Sequence, residues 1–219
     1  VGALTTYQTQ VSRLLHDPLF QFWSQTELAD YINEARNRVA QDSLCLRQLV
    51  GQSTGPDILL TIGQDFYTPQ TLLGAIGPNL VQVLGITIWW GTFRIKLSYY
   101  PYTQFDANFR RYSTYQGRPV AFTRMGANNV VIGPPPDQAY STDWDISVIP
   151  NPLVSDSSVE TMPVPFQEPV QYYAAYKAKW KEQAQGEALL FQKQYIQVLQ
   201  WCLRGFASRT IPNPYRIGM

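Results

Sequence analysis

Apolar positions recur along this chain with two different periods, and the change of period divides it. From Ser24 to Gln41, and again from Val170 to Leu203, they return every three or four residues, the spacing that places side chains on one face of a helix. Between these flanks the apolar runs are short, rich in Val, Ile, Thr and aromatic residues, and cut by Pro and Gly, which is the texture of β structure. A last segment, Phe206 to Met219, has no periodicity of its own.

The first flank opens with Ser24-Gln25-Thr26-Glu27, a capping-box sequence in which Ser accepts from a free backbone N–H and Glu reaches back. Leu28, Tyr31, Ile32, Ala35 and Val39 then share one stripe, with Asp30, Asn33, Glu34, Asn37 and Arg38 on the other side. Upstream, Leu4, Tyr7, Val11, Leu14 and Leu15 predict a short helix over Tyr7 to Leu15, stopped at Asp17-Pro18 because proline disfavours helix in the residue before it. Leu44, Leu46 and Leu49 lead out towards the β region.

In the middle, strands are predicted at Ile58 to Ile62, Phe66-Tyr67, Leu80 to Trp90, Phe93 to Tyr100, Pro119 to Thr123, Asn129 to Gly133 and Asp143 to Ile149. The gap at Gly91-Thr92 predicts a tight hairpin. Tyr102 to Tyr115 fits a short helix or a long loop, since Phe105, Phe109 and Tyr112 sit at helical spacing. Six or seven strands suit a small sheet or sandwich. Pro150 to Pro169 reads as a long connector.

The second flank keeps its spacing through Tyr173, Tyr176, Trp180, Ala184, Ala188, Phe191, Tyr195, Val198 and Cys202, with Pro169 in a first-turn position and Gly186 as the weak point. It fits one helix of about 50 Å or a hairpin turning near Gln185-Gly186. The hairpin is favoured, because so long a lone helix would not pack easily on the short N-terminal ones. The expected fold is therefore α+β: a helical bundle from both chain ends (1–50 with 167–205), an inserted small antiparallel sheet or sandwich (51–166), and an extended C-terminal arm (206–219).

Composition sharpens this. Charged residues are 15% of the chain, against roughly a quarter in an ordinary soluble protein, while aromatic residues are 14% and Trp numbers 6. That balance fits either a neutral free protein or a subunit whose surface is covered by neighbours, since interfaces favour aromatic residues over Lys and Glu. Net charge is +1, which argues against a phosphate-gripping nucleic-acid binder. The one dense basic cluster, Lys177, Lys179 and Lys181, is followed by Glu182 and Glu187 and reads as a solvated helix face. No apolar run is long enough to span a membrane, and the opening ten residues lack the charged and apolar regions of a signal peptide, so synthesis inside the cell is expected.

Catalytic chemistry is thin. The single histidine, His16, stands beside Asp17, which is not a triad arrangement. Cys45 and Cys202 are far apart, in apolar contexts, and read as free thiols with no zinc spacing. No phosphate-cradling glycine motif is present. Asp137, Asp143 and Asp145 are a conceivable carboxylate cluster for a hydrolase, and Trp89-Trp90 a conceivable aromatic platform for a carbohydrate-binding module. The plainer readings are turn aspartates and a sheet core with one exposed Trp. No cofactor or metal is expected.

Several pieces in order carry a resemblance: Thr5-Thr6-Tyr7-Gln8; the helix Leu28-Ala29-Asp30-Tyr31-Ile32-Asn33-Glu34-Ala35; Gly117-Arg118-Pro119-Val120-Ala121-Phe122; Val131-Ile132-Gly133-Pro134-Pro135-Pro136-Asp137; Met162-Pro163-Val164-Pro165-Phe166; and Tyr172-Tyr173-Ala174-Ala175-Tyr176. Their order and spacing resemble the head-to-tail adaptor (connector) proteins of tailed bacteriophages, especially short-tailed ones. The resemblance implies a non-enzymatic virion protein made in the host cytoplasm and placed in the neck between head and tail. It implies a ring of commonly about twelve copies under the portal protein, extending the channel for passing double-stranded DNA and presenting a platform to a tail nozzle or tail-tube protein. It also implies a C-terminal arm that inserts into the portal. Phe206, Arg209, Ile211, Pro212, Pro214, Tyr215, Arg216 and Ile217 are the candidate contacts, the prolines keeping the strap extended and the apolar side chains anchoring it. Another tail component is the nearest alternative, and for the arm itself an ordinary frayed terminus is the plain one.

Overall fold

The computed structural model describes residues 2–55, 57–109, 115–126 and 129–207. Its helices are α1 (Ala3–Leu14), α2 (Gln25–Ser43), α3 (Pro69–Leu72), α4 (Tyr102–Phe109), α5 (Glu168–Lys181) and α6 (Gln185–Ala207). Its strands are β1 (Arg47–Gly51), β2 (Ile58–Leu59), β3 (Phe66–Tyr67), β4 (Leu80–Trp90), β5 (Phe93–Lys96), β6 (Ser98–Tyr99), β7 (Ala121–Met125), β8 (Asn129–Gly133) and β9 (Ser141–Val148). The fold is α+β, and the chain forms two compact units. One contains the chain up to Cys45 and again from Pro150; the other is Leu46–Ile149. The divisions fall after Cys45 and Ile149 where the sequence placed them after 50 and 166. β1 joins the β unit, and the connector 150–163 belongs with the helices.

In the helical unit, α2 buries Leu28, Ile32, Ala35 and Val39 of the predicted stripe, with Arg36 and Ala40 beside them, while Tyr31 is half-buried. Ser24 caps it, its Oγ accepting from the Glu27 N–H at 3.2 Å. The reciprocal half of the capping box is not made. The Glu27 carboxylate instead accepts from the Tyr31 hydroxyl at 2.8 Å and pairs with Lys181. α1 buries Leu4, Tyr7 and Val11 and stops at Leu14. Its stop is His16 in the left-handed region (φ 59°). There His16 N–H donates to Arg13 C=O at 3.2 Å and Asp17 N–H to Ser12 C=O at 2.9 Å, the two bonds of a Schellman ending.

The second flank is a helical pair broken at Gln183. That residue adopts φ 63°, with its N–H on Trp180 C=O and the Ala184 N–H on Lys179 C=O, both at 3.1 Å. The break comes two residues before the predicted Gln185-Gly186, and Gly186 lies in the first turn of α6. Ala174, Ala175 and Ala178 are buried on α5 and Ala188 on α6; such small side chains let helices approach closely. Tyr173 meets Tyr195 edge-on at 5.1 Å between centroids, and the Tyr195 hydroxyl donates to Asp42 at 2.8 Å.

In the β unit, β1-β9-β4-β5 form one sheet, with β2 also on β9, and β3-β8-β7-β6 form the other. All ladders are antiparallel except β6 on β7, which is parallel. Val83, Ile86 and Ile88 of β4 and Trp144, Ile146 and Val148 of β9 meet Tyr67, Phe122, Val130 and Ile132 in a single buried core, as in a sandwich. The step from Val83 to Ile86 reflects a register shift between Val83 and Gly85. The run predicted as one strand from Phe93 to Tyr100 serves both sheets. Leu97, itself buried, donates its N–H to Ile86 of the first, and Ser98 donates to Val120 beside the second. Ile58 to Ile62 pairs as a strand only over Ile58–Leu59. The Gly91 turn is left-handed (φ 61°), as the predicted hairpin requires. α4 realises the helical option for Tyr102 to Tyr115 over its first eight residues; Tyr112 lies outside the described residues. It lies on the outer face of the second sheet, where Phe105 packs with Ala121 and Val131. A Cβ at Gly133 would sit 2.8 Å from the Phe105 ring, so only glycine allows that approach.

Candidate functional site

The three aspartates do not converge. Asp137 accepts from the Tyr140 hydroxyl at 2.7 Å. Asp145 is held by both ends of the Arg47 guanidinium, on the partly exposed face of its sheet. Asp143 is fully buried, taking the Ser53 N–H (2.8 Å), the Ser53 hydroxyl (2.6 Å), Trp89 Nε1 (2.9 Å) and Arg94 (3.1 Å). Burial works against its charge, but these donors outweigh it and hold the carboxyl below the usual carboxylate range. All four of these donors belong to the β unit itself. Among the described residues no group of three His, Cys, Asp or Glu could hold a metal ion.

Trp89 and Trp90 alternate across the strand and so point to opposite faces. Trp89 donates to Asp143 under the Arg94 guanidinium (5.4 Å to its ring), while Trp90 is half exposed under Arg118 (4.7 Å). They form no shared platform. Only Lys181 of the lysine cluster is exposed, Lys177 and Lys179 being partly covered, and each is paired: Lys177 with Glu34, Lys179 with Glu182 and Glu187, Lys181 with Glu27. Cys45 and Cys202 are free and half-buried. His16 is exposed at the end of α1. Of the arm residues, Phe206 belongs to the last turn of α6, and Arg209, Ile211, Pro212, Pro214, Tyr215, Arg216 and Ile217 lie outside the described residues.

What the sequence reading missed is the outward face of α6. Ala188, Tyr195 and Leu199 face the bundle, yet Leu189, Leu190, Ile196, Trp201 and Leu203 are exposed. A shallow groove of about 390 Å³ runs along this face, lined by Leu189, Gln192, Lys193, Ile196, Gln197 and Gln200. The signal was present, because α6 carries more large apolar residues than one buried stripe uses. A second missed feature is the way Asp17 organises Leu19 to Trp23, which the sequence marks only as a short apolar connector between α1 and α2. The Asp17 carboxylate accepts the N–H groups of Gln21, Phe22 and Trp23 at 2.8–2.9 Å. These bonds, that from Trp23 foremost, hold its pKa below the usual value. Trp23 is buried, while Leu19 and Phe22 project, 74% and 69% exposed.

The sequence profile of the SU10 adaptor protein family matches residues 3–205. The chain therefore belongs to this family of bacteriophage adaptor proteins, as its sequence motifs implied. No curated protein matches the chain. Among the described residues no helix is long and apolar enough to cross a membrane.

Proposed function

We propose that this chain is a non-enzymatic ring subunit of the virion neck, joining the portal to the tail and extending the DNA channel. The observation that carries the reading is the family match across residues 3–205. Two properties of the chain support it. Its net charge of +1 suits a conduit that must let double-stranded DNA pass without gripping its phosphates. Its surface carries large apolar side chains on a rigid helix, which a subunit covered by neighbours can tolerate. The arm residues Phe206, Arg209, Ile211, Pro212, Pro214, Tyr215, Arg216 and Ile217 are the contact with the portal protein, and the opposite side of the ring receives a tail nozzle or tail-tube protein.

The test uses the full chain and a chain ending at Gly205, each added to phage heads that lack the adaptor. The full chain binds, and electron micrographs place a ring directly beneath the portal. The shortened chain loses binding. Unchanged affinity of the shortened chain overturns the role of the arm. A ring found further down the tail overturns the placement at the portal and makes the protein a tail component.

A further inference from the structure

We propose that the exposed face of α6 is the seat for the Leu19–Phe22 knob of a second copy of this chain. The inference rests on the ring-forming reading above and names the two surfaces that build the ring.

The groove side is a continuous strip. Leu189, Lys193, Ile196, Gln200 and Leu203 follow one another at steps of three and four residues, and Leu190 and Trp201 flank them along the same side of the helix. Single exposed apolar residues need no explanation, but five large ones on one helix face do. The knob side is pre-formed. Three backbone N–H groups held by Asp17 fix the connector, and Phe22 stands edge-on to the buried Trp23 ring at 5.0 Å. A rigid aromatic anchor loses little entropy when it docks.

Charge fits the two together. Residues 14–35, which carry the knob, contain Asp17, Glu27, Asp30 and Glu34 and no Lys or Arg. Residues 188–207 contain Lys193 and Arg204 and no Asp or Glu. Glu27 and Glu34 are already paired with lysines of α5. Lys181 stands over the Trp23 ring beside the knob but is spent on Glu27; among the described residues Asp30 of α2 and Lys193 and Arg204 of α6 form no ion pair, so α2 beyond the knob keeps a negative charge and the groove two positive ones. The two surfaces are different regions of the chain, so the contact is heterologous. Such a contact closes into a ring when the rotation permits.

The experiment uses two full-length variants, Leu19→Ser/Phe22→Ser in the knob and Ile196→Glu/Trp201→Glu in the groove. Masses are read by sedimentation, with the protein alone and with adaptor-free heads. Wild type forms assemblies beyond a dimer in at least one of these settings; each variant stays monomeric in both. An equimolar mixture of the variants stops at a dimer, because one partner keeps its groove and the other its knob. The single change Phe22→Ala weakens assembly roughly thirty-fold, as loss of a central aromatic anchor does. The dimer also proves that both variants fold, and helical circular dichroism checks each one separately. If folded variants assemble like wild type, or their mixture stays monomeric, the surfaces are wrong and the ring stands. If the groove variant loses only attachment to heads, the face belongs to the portal and the proposal is overturned. If wild type never exceeds a monomer in either setting, the ring reading itself fails and this contact with it.

Discussion

Arg36 of α2 and Glu160 of the long connector form a two-pronged ion pair inside the helical unit, with Arg36 Nε 3.1 Å from Glu160 Oε2 and Nη2 2.8 Å from Oε1. Arg36 is fully buried, and its remaining donor reaches Asn33 Oδ1 and the Asn151 carbonyl. Asn33 in turn exchanges hydrogen bonds with both backbone groups of Leu153. A segment without regular structure is thus pinned to α2 by side chains of one helical turn.

Removing one partner of such a pair leaves the other charge buried and unpaired. Arg36→Ala is expected to destabilise the helical unit by about 3–5 kcal/mol. Urea unfolding followed by the helical signal measures it. A loss below about 1 kcal/mol would mean that water replaces the guanidinium and that the connector is held by other contacts.

Asp143 makes the β unit sensitive to acid. Its pKa in the fold is below that of the unfolded chain, about 3.9, because the Ser53, Trp89 and Arg94 donors overcome the cost of burial. A depressed carboxyl contributes stability that is fully present above the unfolded value and is lost as pH falls through the folded one. The tryptophan-reported unfolding transition of the β unit therefore weakens below about pH 4. Asp143→Asn, expected to cost about 1–3 kcal/mol at neutral pH, flattens that dependence. An unchanged acid slope in the variant would assign the effect to other carboxylates.

The left-handed residue at the α5–α6 break gives a stabilising change. Gln183 carries a Cβ in a conformation that glycine adopts freely. Gln183→Gly is expected to add about 0.5–1 kcal/mol, after allowing for the greater freedom of glycine in the unfolded chain. Thermal melts then shift upward by about 1–4 °C for a chain of this size. A downward shift would show that the Gln183 side chain contributes more than its strained backbone costs.

These same places mark the limits of what the sequence discloses. α2 and β4 are legible because one face is buried throughout and the apolar period survives, as at Leu28, Ile32, Ala35 and Val39. β1 escapes because Arg47, Gln48 and Leu49 are exposed on its open edge, so Arg47–Gly51 shows no alternation. The exchange of sheets at Leu97 escapes because the alternation continues in phase across it. The α5–α6 break is foreseen but placed two residues late, because its left-handed residue is glutamine while the nearby Gly186 signals a turn that the helix does not use. The α6 groove was hidden for a different reason. Leu189, Ile196 and Trp201 look like core residues in a sequence, and only the packing of Ala188, Tyr195 and Leu199 shows which side is already taken.

Asp17 offers the sharpest local test, since one exposed carboxylate organises the whole connector. Asp17→Ala removes the acceptor for the Gln21, Phe22 and Trp23 amides, and hydrogen exchange at those three positions should accelerate while α2 keeps its protection. Acid should do the same to the wild type. The Asp17 pKa is depressed, so the restraint holds above the ordinary carboxylate value and fails as pH falls through the folded one. The change leaves Leu19 and Phe22 in place but unanchors them, so self-association should weaken less than in the Leu19→Ser/Phe22→Ser variant. Equal weakening in the two would mean that rigidity, and not the apolar side chains themselves, supplies the contact. Unaltered exchange at Phe22 would show that Trp23, through its packing on Tyr31 at 6.3 Å between centroids, is enough to hold the connector alone.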